Sequence, residues 1–306
     1  MTDIIVIGGG PAGMTAALYA LRNGKSVLCL EKHGFGGQIT YSPRVENWPG
    51  TQQMSGNAFA DAFLEQILNQ GAEVDLAEAL RVEDCGRVKR VHTDDGQVRE
   101  AGAVILATGV RHRMLGLPGE AELVGEGISF CAVCDGDFYT GKTVCVVGGG
   151  NSALQEAILL AGKCEQVIML QDLDFFTGEK KLQEQLLSRE NVTAHTGVAV
   201  TALNTEGGEL KSVTVTGKSD GQTRVIPCDG VFIAIGLIPE NEAFKDLAAL
   251  DAWGYFDSDE GCETGTPGIF VAGDCRRKTV RQLTTAAADG AAAALAACRY
   301  LDAQGS

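Results

Sequence analysis

Apolar positions along the chain alternate between a strand pattern and a helix pattern. Ile4, Ile5, Val6 and Ile7 form a continuous apolar run, which predicts a strand buried on both faces. The run enters Gly8-Gly9-Gly10-Pro11-Ala12-Gly13, and the stretch after it, MTAALYALRNG, has helical periodicity. A second strand, VLCLE, ends at Glu31. The same order returns at 144–153, where VCVV leads into Gly148-Gly149-Gly150-Asn151-Ser152-Ala153 and the helical LQEAILLAG. Turn signals then space further strands, Asp95-Gly96 in the first half and Gly207-Gly208 and Asp220-Gly221 in the second. Each half closes on a buried-looking strand ending in glycine, VILATG at 104–109 and VFIAIG at 231–236.

This repeated order has a chemical meaning. Glycines at 8, 10 and 13 permit a tight turn, close approach of a pyrophosphate and close packing of helix on strand. Glu31, 18 residues past Gly13 (31 − 13), is placed to bind a ribose hydroxyl. The two glycine loops lie 140 residues apart (148 − 8), so two nucleotide-binding units are expected. A third glycine-bearing strand, GIFVAGD at 268–274, lies too far along to belong to the second unit and can return to the first sheet. The predicted fold is α/β, with two Rossmann-like, three-layer ββα dinucleotide-binding domains, the second inserted into the first. The discontinuous domain is expected over 1–111 and 242–306, and the inserted one over 112–241.

Composition narrows the setting. The chain has 306 residues, 45% hydrophobic and 21% charged, enough for two separate cores. A net charge of −15 disfavours nonspecific binding of nucleic acid. No stretch approaches the ~20 apolar residues of a membrane span, and the N-terminus lacks a basic region before its short apolar run. Ten cysteines without an export signal predict a reducing cytoplasm.

At 130–136 the chain reads FCAVCDG, pairing Cys131 with Cys134 at CxxC spacing and following them with Asp135. Such a pair is half of a zinc site, a redox dithiol or two core thiols. Zinc needs four ligands, and the histidines are scattered at 33, 92, 112 and 195, so no metal is expected. The position between two nucleotide units favours a redox dithiol. Asp135 is then either the group that exchanges protons with the thiols or an acidic turn residue before Gly136.

In combination, GGGPAG, GGQI at 36–39, VENWPG at 45–50, ATG at 107–109, CAVCDGDF, GGGNSA, AGD at 272–274 and RQLTTAAADG at 281–290 make the chain resemble the low-molecular-weight thioredoxin reductases. The match runs from Ile4 to about Leu301. The resemblance implies a homodimeric flavoenzyme with FAD in the discontinuous domain. Gly8, Gly10, Gly13 and Glu31 would bind its adenosine diphosphate half, with Pro11 and Ala12 also at the cofactor. Gln38 and Asn47 would line the riboflavin half, Asp274 would hydrogen-bond the ribityl chain, and Gly37, Thr108 and Gly109 would also contact the cofactor. Gln282, between Arg281 and Leu283, would approach the flavin ring from the start of the last helix. The resemblance further implies that Cys134 faces the flavin, that Cys131 attacks the disulfide of thioredoxin or a thioredoxin-like protein, and that Asp135 is the acid. It implies rotation of one domain against the other, with hinges near 111–115 and 237–241.

One stretch departs from the family. Members that use NADPH carry His-Arg-Arg after the second strand of the inserted unit and a further arginine soon after. Here those positions hold Gln171, Asp172, Leu173 and Thr177, so the cations that would fork around a 2′-phosphate are missing. Three donors stay open. Asp172 would serve NADH by bonding its ribose, with Gly148, Gly150, Asn151, Ser152 and Ala153 forming the pyrophosphate loop. Reduced ferredoxin would need no nucleotide, docking on a local basic cluster such as Arg276-Arg277-Lys278 or Arg111-His112-Arg113. NADPH would need other cations, such as Lys180 and Lys181. A nonenzymatic flavin redox sensor is the rival outside catalysis; it leaves the CxxC-Asp unexplained.

Overall fold

The computed structural model describes residues 1–42 and 44–304, so the last two positions of the expected 242–306 segment lie outside the described residues. The chain divides into two compact units, Met1–Arg111 with Ile238–Ser306, and His112–Leu237.

The first unit opens with β1 (Thr2–Ile7), α1 (Pro11–Arg22), β2 (Val27–Glu31), α2 (Gly56–Asn69), β3 (Glu73–Leu76), β4 (Ala79–Cys85), β5 (Val88–Thr93) and β6 (Val98–Leu106). Strands β3, β2, β1 and β6 pair in that order and in parallel. The first half of β6 pairs antiparallel with β5, and β5 pairs with β4, giving a second, antiparallel layer. The apolar run of β1 serves both faces. Ile4 and Val6 join a cluster with α1, and Ile5 and Ile7 join one with Val91 on the ribbon side. Burial of each such side chain contributes about 1.5–3 kcal/mol.

Two short strands, β7 (Val110–His112) and β16 (Leu237–Pro239), pair where the chain leaves the first unit and returns. Between them lie β8 (Ile128–Ser129), α3 (Ala132–Asp135), β9 (Thr143–Val147), α4 (Asn151–Leu160), β10 (Gln166–Leu170), α5 (Lys180–Leu187), β11 (Val192–His195), β12 (Val198–Glu206), β13 (Glu209–Gly217), β14 (Thr223–Pro227) and β15 (Gly230–Ile233). The parallel sheet runs β11-β10-β9-β15-β8, and β12-β13-β14 form a separate antiparallel sheet. Its layers repeat those of the first unit. Val144 and Val146 of β9 face α4, whereas Cys145 and Val147 face Val213 and Val215 of the antiparallel sheet.

The chain then completes the first unit with β17 (Ile269–Val271) and α6 (Leu283–Gln304). Strand β17 pairs with the second half of β6, Ile269 opposite Val104 through Val271 opposite Leu106. The alanine-rich α6 packs on α1, and Gly290 makes the approach possible, because a Cβ there would meet the Ala12 carbonyl oxygen at 2.1 Å. The run at 286–298 therefore serves helix packing inside this unit.

Candidate active site

The first glycine loop caps the carboxyl end of β1. Gly8 has φ +110°, and a Cβ there would sit 2.2 Å from the Ala107 carbonyl oxygen; a Cβ on Gly13 would sit 1.8 Å from that of Gly8. Both positions therefore require glycine. Pro11 is the first residue of α1, where its missing N–H costs nothing. Ala12 is buried beside Gly273 and Gly290. Glu31 accepts the Gly9 N–H at 2.7 Å through one oxygen and the His33 N–H at 3.0 Å through the other. The segment after β2 folds back, the Gly36 N–H donating to the Gly9 carbonyl at 2.8 Å and Gly37, at φ +60°, lying beside the Gly10 Cα.

The other residues expected at the flavin converge in this unit. Gln38 donates its side-chain amide to the Val110 carbonyl. Asn47 donates to the Gln282 side-chain oxygen at 3.4 Å. Gln282 precedes Leu283, the first residue of α6, and its N–H donates to the Thr285 hydroxyl at 3.0 Å. Arg281 lies over the Tyr255 ring at 4.3 Å and donates to the Asp274 carbonyl at 3.4 Å. Thr108, next to Gly109 at φ +68°, donates to the Asn241 side-chain oxygen at 2.8 Å. Burial pushes the Asp274 carboxyl up, opposed by Lys278 and Arg281, and its Oδ1 is buried with no hydrogen-bond partner. A buried acceptor left open at the end of β17 fits a ligand that brings hydroxyl donors, as the polyol chain of FAD does.

No motif points to Asn241. Its side chain, 1% exposed, donates to the Gly254 and Cys275 carbonyls, each at 2.8 Å, while accepting from Thr108. One amide thus ties together three segments of the cradle. Asp289 is the other omission, and it had a signal: it is the lone acid in the apolar run AAADGAAAA.

In the second unit Cys131 and Cys134 are disulfide-bonded, with Cα atoms 5.3 Å apart. Cys131 caps α3, and its sulfur accepts the Cys134 N–H at 3.2 Å. The Ser129 hydroxyl donates to Asp135 Oδ2 at 2.6 Å and accepts the Cys131 N–H at 3.1 Å. Burial raises the Asp135 carboxyl, opposed only by the Ser129 bond, and Oδ1 is buried without a partner. Asp135 is therefore a partly desolvated carboxyl held next to the dithiol through Ser129.

The second glycine loop copies the first in backbone. Gly148 has φ +132°, and a Cβ there would meet the Ala234 carbonyl oxygen at 2.4 Å. The N–H groups of Thr177 and Gly178 both donate to the Gly149 carbonyl at 2.9 Å, folding the chain back as Gly36 does on Gly9. Asn151 opens α4, followed by Ser152 and Ala153, and bonds the Glu179 backbone and side chain. Strand register settles which residue matches Glu31. Gly8 bonds the Leu30 carbonyl and Gly148 the Leu170 carbonyl, so the counterpart of Glu31 is Gln171. Gln171 is buried and donates to the Phe175 carbonyl at 3.2 Å. Asp172 is instead 60% exposed and paired with Lys218 at 2.9 Å. Gly150 faces Thr177.

Within the first basic cluster most of the charge is tied up in the fold, whereas Arg111 and Arg113 of the second are exposed. Arg276 and Lys278 are 12% and 9% exposed and bond Asp289, and Arg277 pairs with Asp257 at 2.8 Å. The run is basic in sequence because each cation neutralises a carboxylate in the fold. In the other cluster Arg111 lies 3.6 Å from Glu240, and burial depresses His112 to about 4, leaving it uncharged where it stacks on Phe130.

Comparison with known proteins agrees along the whole chain. The family model for pyridine nucleotide-disulphide oxidoreductases matches residues 2–290. The thioredoxin reductase of Listeria innocua serovar 6a is 39% identical over 300 residues, covering 98% of this chain and 94% of that one. That of Bacillus subtilis is 37% identical over 300 residues, covering 98% and 95%. The crystal structure of thioredoxin reductase from Streptococcus pyogenes superposes with a TM-score of 0.93 at 37% identity, covering 99% of both chains. With two dinucleotide-binding folds, a bonded CxxC and these relatives, the chain is an oxidoreductase of the low-molecular-weight thioredoxin reductase family, whose wider class works with FAD and a pyridine nucleotide.

Proposed function

We propose that this chain reduces the disulfide of thioredoxin or a thioredoxin-like protein through FAD and the Cys131–Cys134 pair, drawing electrons from NADH or reduced ferredoxin rather than NADPH. The observation that carries the reading is the bonded pair with the buried Asp135 carboxyl fixed beside it by Ser129.

Gly8, Gly10, Pro11, Ala12, Gly13 and Glu31 would hold the adenosine diphosphate half of FAD, and Gly37, Gln38, Asn47, Thr108, Gly109, Asp274, Arg281, Gln282 and Leu283 the remainder. Bound FAD supplies a two-electron carrier able to reduce a disulfide. Two electrons and two protons open the Cys131–Cys134 bond to two thiols. The Cys131 thiolate attacks the partner's disulfide, forming a mixed disulfide and releasing one partner sulfur; the Cys134 thiolate then displaces the second and restores the Cys131–Cys134 bond. The Cys134 N–H, aimed at the Cys131 sulfur, favours the thiolate there. Asp135 holds its proton to higher pH than an ordinary aspartate and can pass it to a departing sulfur. Its service as an acid is lost as pH rises through that raised value.

The donor reading rests on the end of β10. Gln171 is neutral and buried, Asp172 is acidic, and the nearby Lys218 is already paired with it. A 2′-phosphate there would meet negative charge and no guanidinium fork. Lys180 and Lys181 are exposed on the first turn of α5. We extend the reading to a homodimer in the cytoplasm. Eight cysteines are unbonded and all but Cys85 are buried, which fits a reducing compartment.

The test separates the dithiol from the donor. Holoenzyme reduced photochemically and mixed anaerobically with oxidised thioredoxin should transfer about one disulfide equivalent. Holoenzyme that keeps its electrons in that mixture would overturn the reading.

A further inference from the structure

Arg276, Arg277 and Lys278 are consecutive in sequence, yet only Arg277 is largely exposed, at 64%. The other two converge on Asp289 of α6. Arg276 grips it in a fork, Nε to Oδ2 at 2.9 Å and a terminal nitrogen to Oδ1 at 3.1 Å. Lys278 Nζ donates to Oδ2 at 2.9 Å, and the Gly273 N–H reaches the same oxygen at 3.1 Å. Burial alone would raise the Asp289 carboxyl, but its bonds from Arg276 and Lys278 outweigh that and hold it low.

The ammonium of Lys278 also stands 3.6 Å from Asp274 Oδ1, the buried oxygen without a hydrogen-bond partner. That separation is too long for a hydrogen bond and short enough for strong attraction where water is excluded. The carboxylate is thus steadied by a cation that does not use its lone pairs. Arg276 and Lys278 thus offset the two acids Asp289 and Asp274, with Arg281 adding attraction to Asp274.

We propose that Lys278 is a positioning residue that holds Asp274 ready to accept hydroxyl donors from the polyol chain of FAD, with Asp289 and Arg276 fixing Lys278 in turn. The inference rests on the reading that FAD occupies the first unit. It gives the cations of this loop a role inside the cofactor cradle. It also makes Asp289, on the helix behind the cradle, part of cofactor retention.

FAD release from the holoenzyme, followed by flavin fluorescence on dilution, tests this in wild type, Lys278→Gln, Lys278→Arg, Asp274→Asn and the Asp274→Asn/Lys278→Gln double variant. Lys278→Gln should raise the dissociation constant about tenfold, the loss of one charged contact, and Lys278→Arg should restore most of it. In the Asp274→Asn background the same Lys278→Gln change should add less than about twofold, because the effect passes through Asp274. Equal losses in both backgrounds, or wild-type retention by Lys278→Gln, would overturn the proposal. Should Lys278→Gln fail to fold, Asp289→Asn, which frees Lys278 from its anchor, must weaken FAD retention in wild type and not in Asp274→Asn. Failure of the underlying FAD reading looks different, since the wild-type protein would then carry no flavin.

Discussion

The two glycine loops share one backbone and differ in charge. Gly8 and Gly148 both adopt positive φ beneath a carbonyl oxygen, and both central glycines receive an N–H from a returning segment. At the next position outward, the first loop has the Glu31 carboxylate accepting two N–H groups, whereas the second has neutral, buried Gln171 followed by exposed Asp172. The sixth loop position differs as well, Gly13 against Ala153. The backbone of a nucleotide site is thus kept for reasons of turn geometry, while the groups that would read a particular nucleotide are free to change.

The comparison can be broken at the dithiol first. Cys131→Ser or Cys134→Ser should lower thioredoxin reduction at least ~10³-fold while leaving FAD bound, in a coupled thiol-release assay. Exchanging features between the loops should come next. Gly13→Ala, whose Cβ would sit 1.8 Å from the Gly8 oxygen, should abolish FAD retention, and Glu31→Gln should weaken it about tenfold. Installing the missing fork, Asp172→Arg with Leu173→Arg, should improve the NADPH response about 10–100-fold, read as the rate of flavin bleaching. The smallest effect concerns Glu156 on α4, which burial raises to about 8 and whose Oε2 has no partner. Between the unfolded value near ~4.3 and that folded value the native chain binds the extra proton, so stability falls as pH rises across the window. Glu156→Gln should therefore raise Tm by about 2–4 °C at pH 9 and leave it nearly unchanged at pH 4.

Much of this was legible from local patterns. The apolar run of β1, the glycine loops, Glu31 and the CxxC-Asp are contiguous, and their chemistry is fixed by spacing. What stayed hidden depends on contacts between distant segments. Asn241 links Thr108, Gly254 and Cys275, and no short motif announces it. The run at 276–278 was misleading because its partners, Asp257 and Asp289, lie 20 and 11 residues away from Arg277 and Lys278 (277 − 257 and 289 − 278). The 18-residue spacing from Ala153 to Gln171 (171 − 153) already matched Gly13 to Glu31, but only strand register shows that Asp172 lies one position beyond.

The most direct measurement is anaerobic titration of the purified holoenzyme, following flavin absorbance as NADPH, NADH or chemically reduced ferredoxin is added. The account predicts rapid, stoichiometric bleaching by NADH or ferredoxin and bleaching by NADPH slower by at least ~100-fold, the consequence of a β10 end without a phosphate fork. Rapid stoichiometric bleaching by NADPH would contradict it.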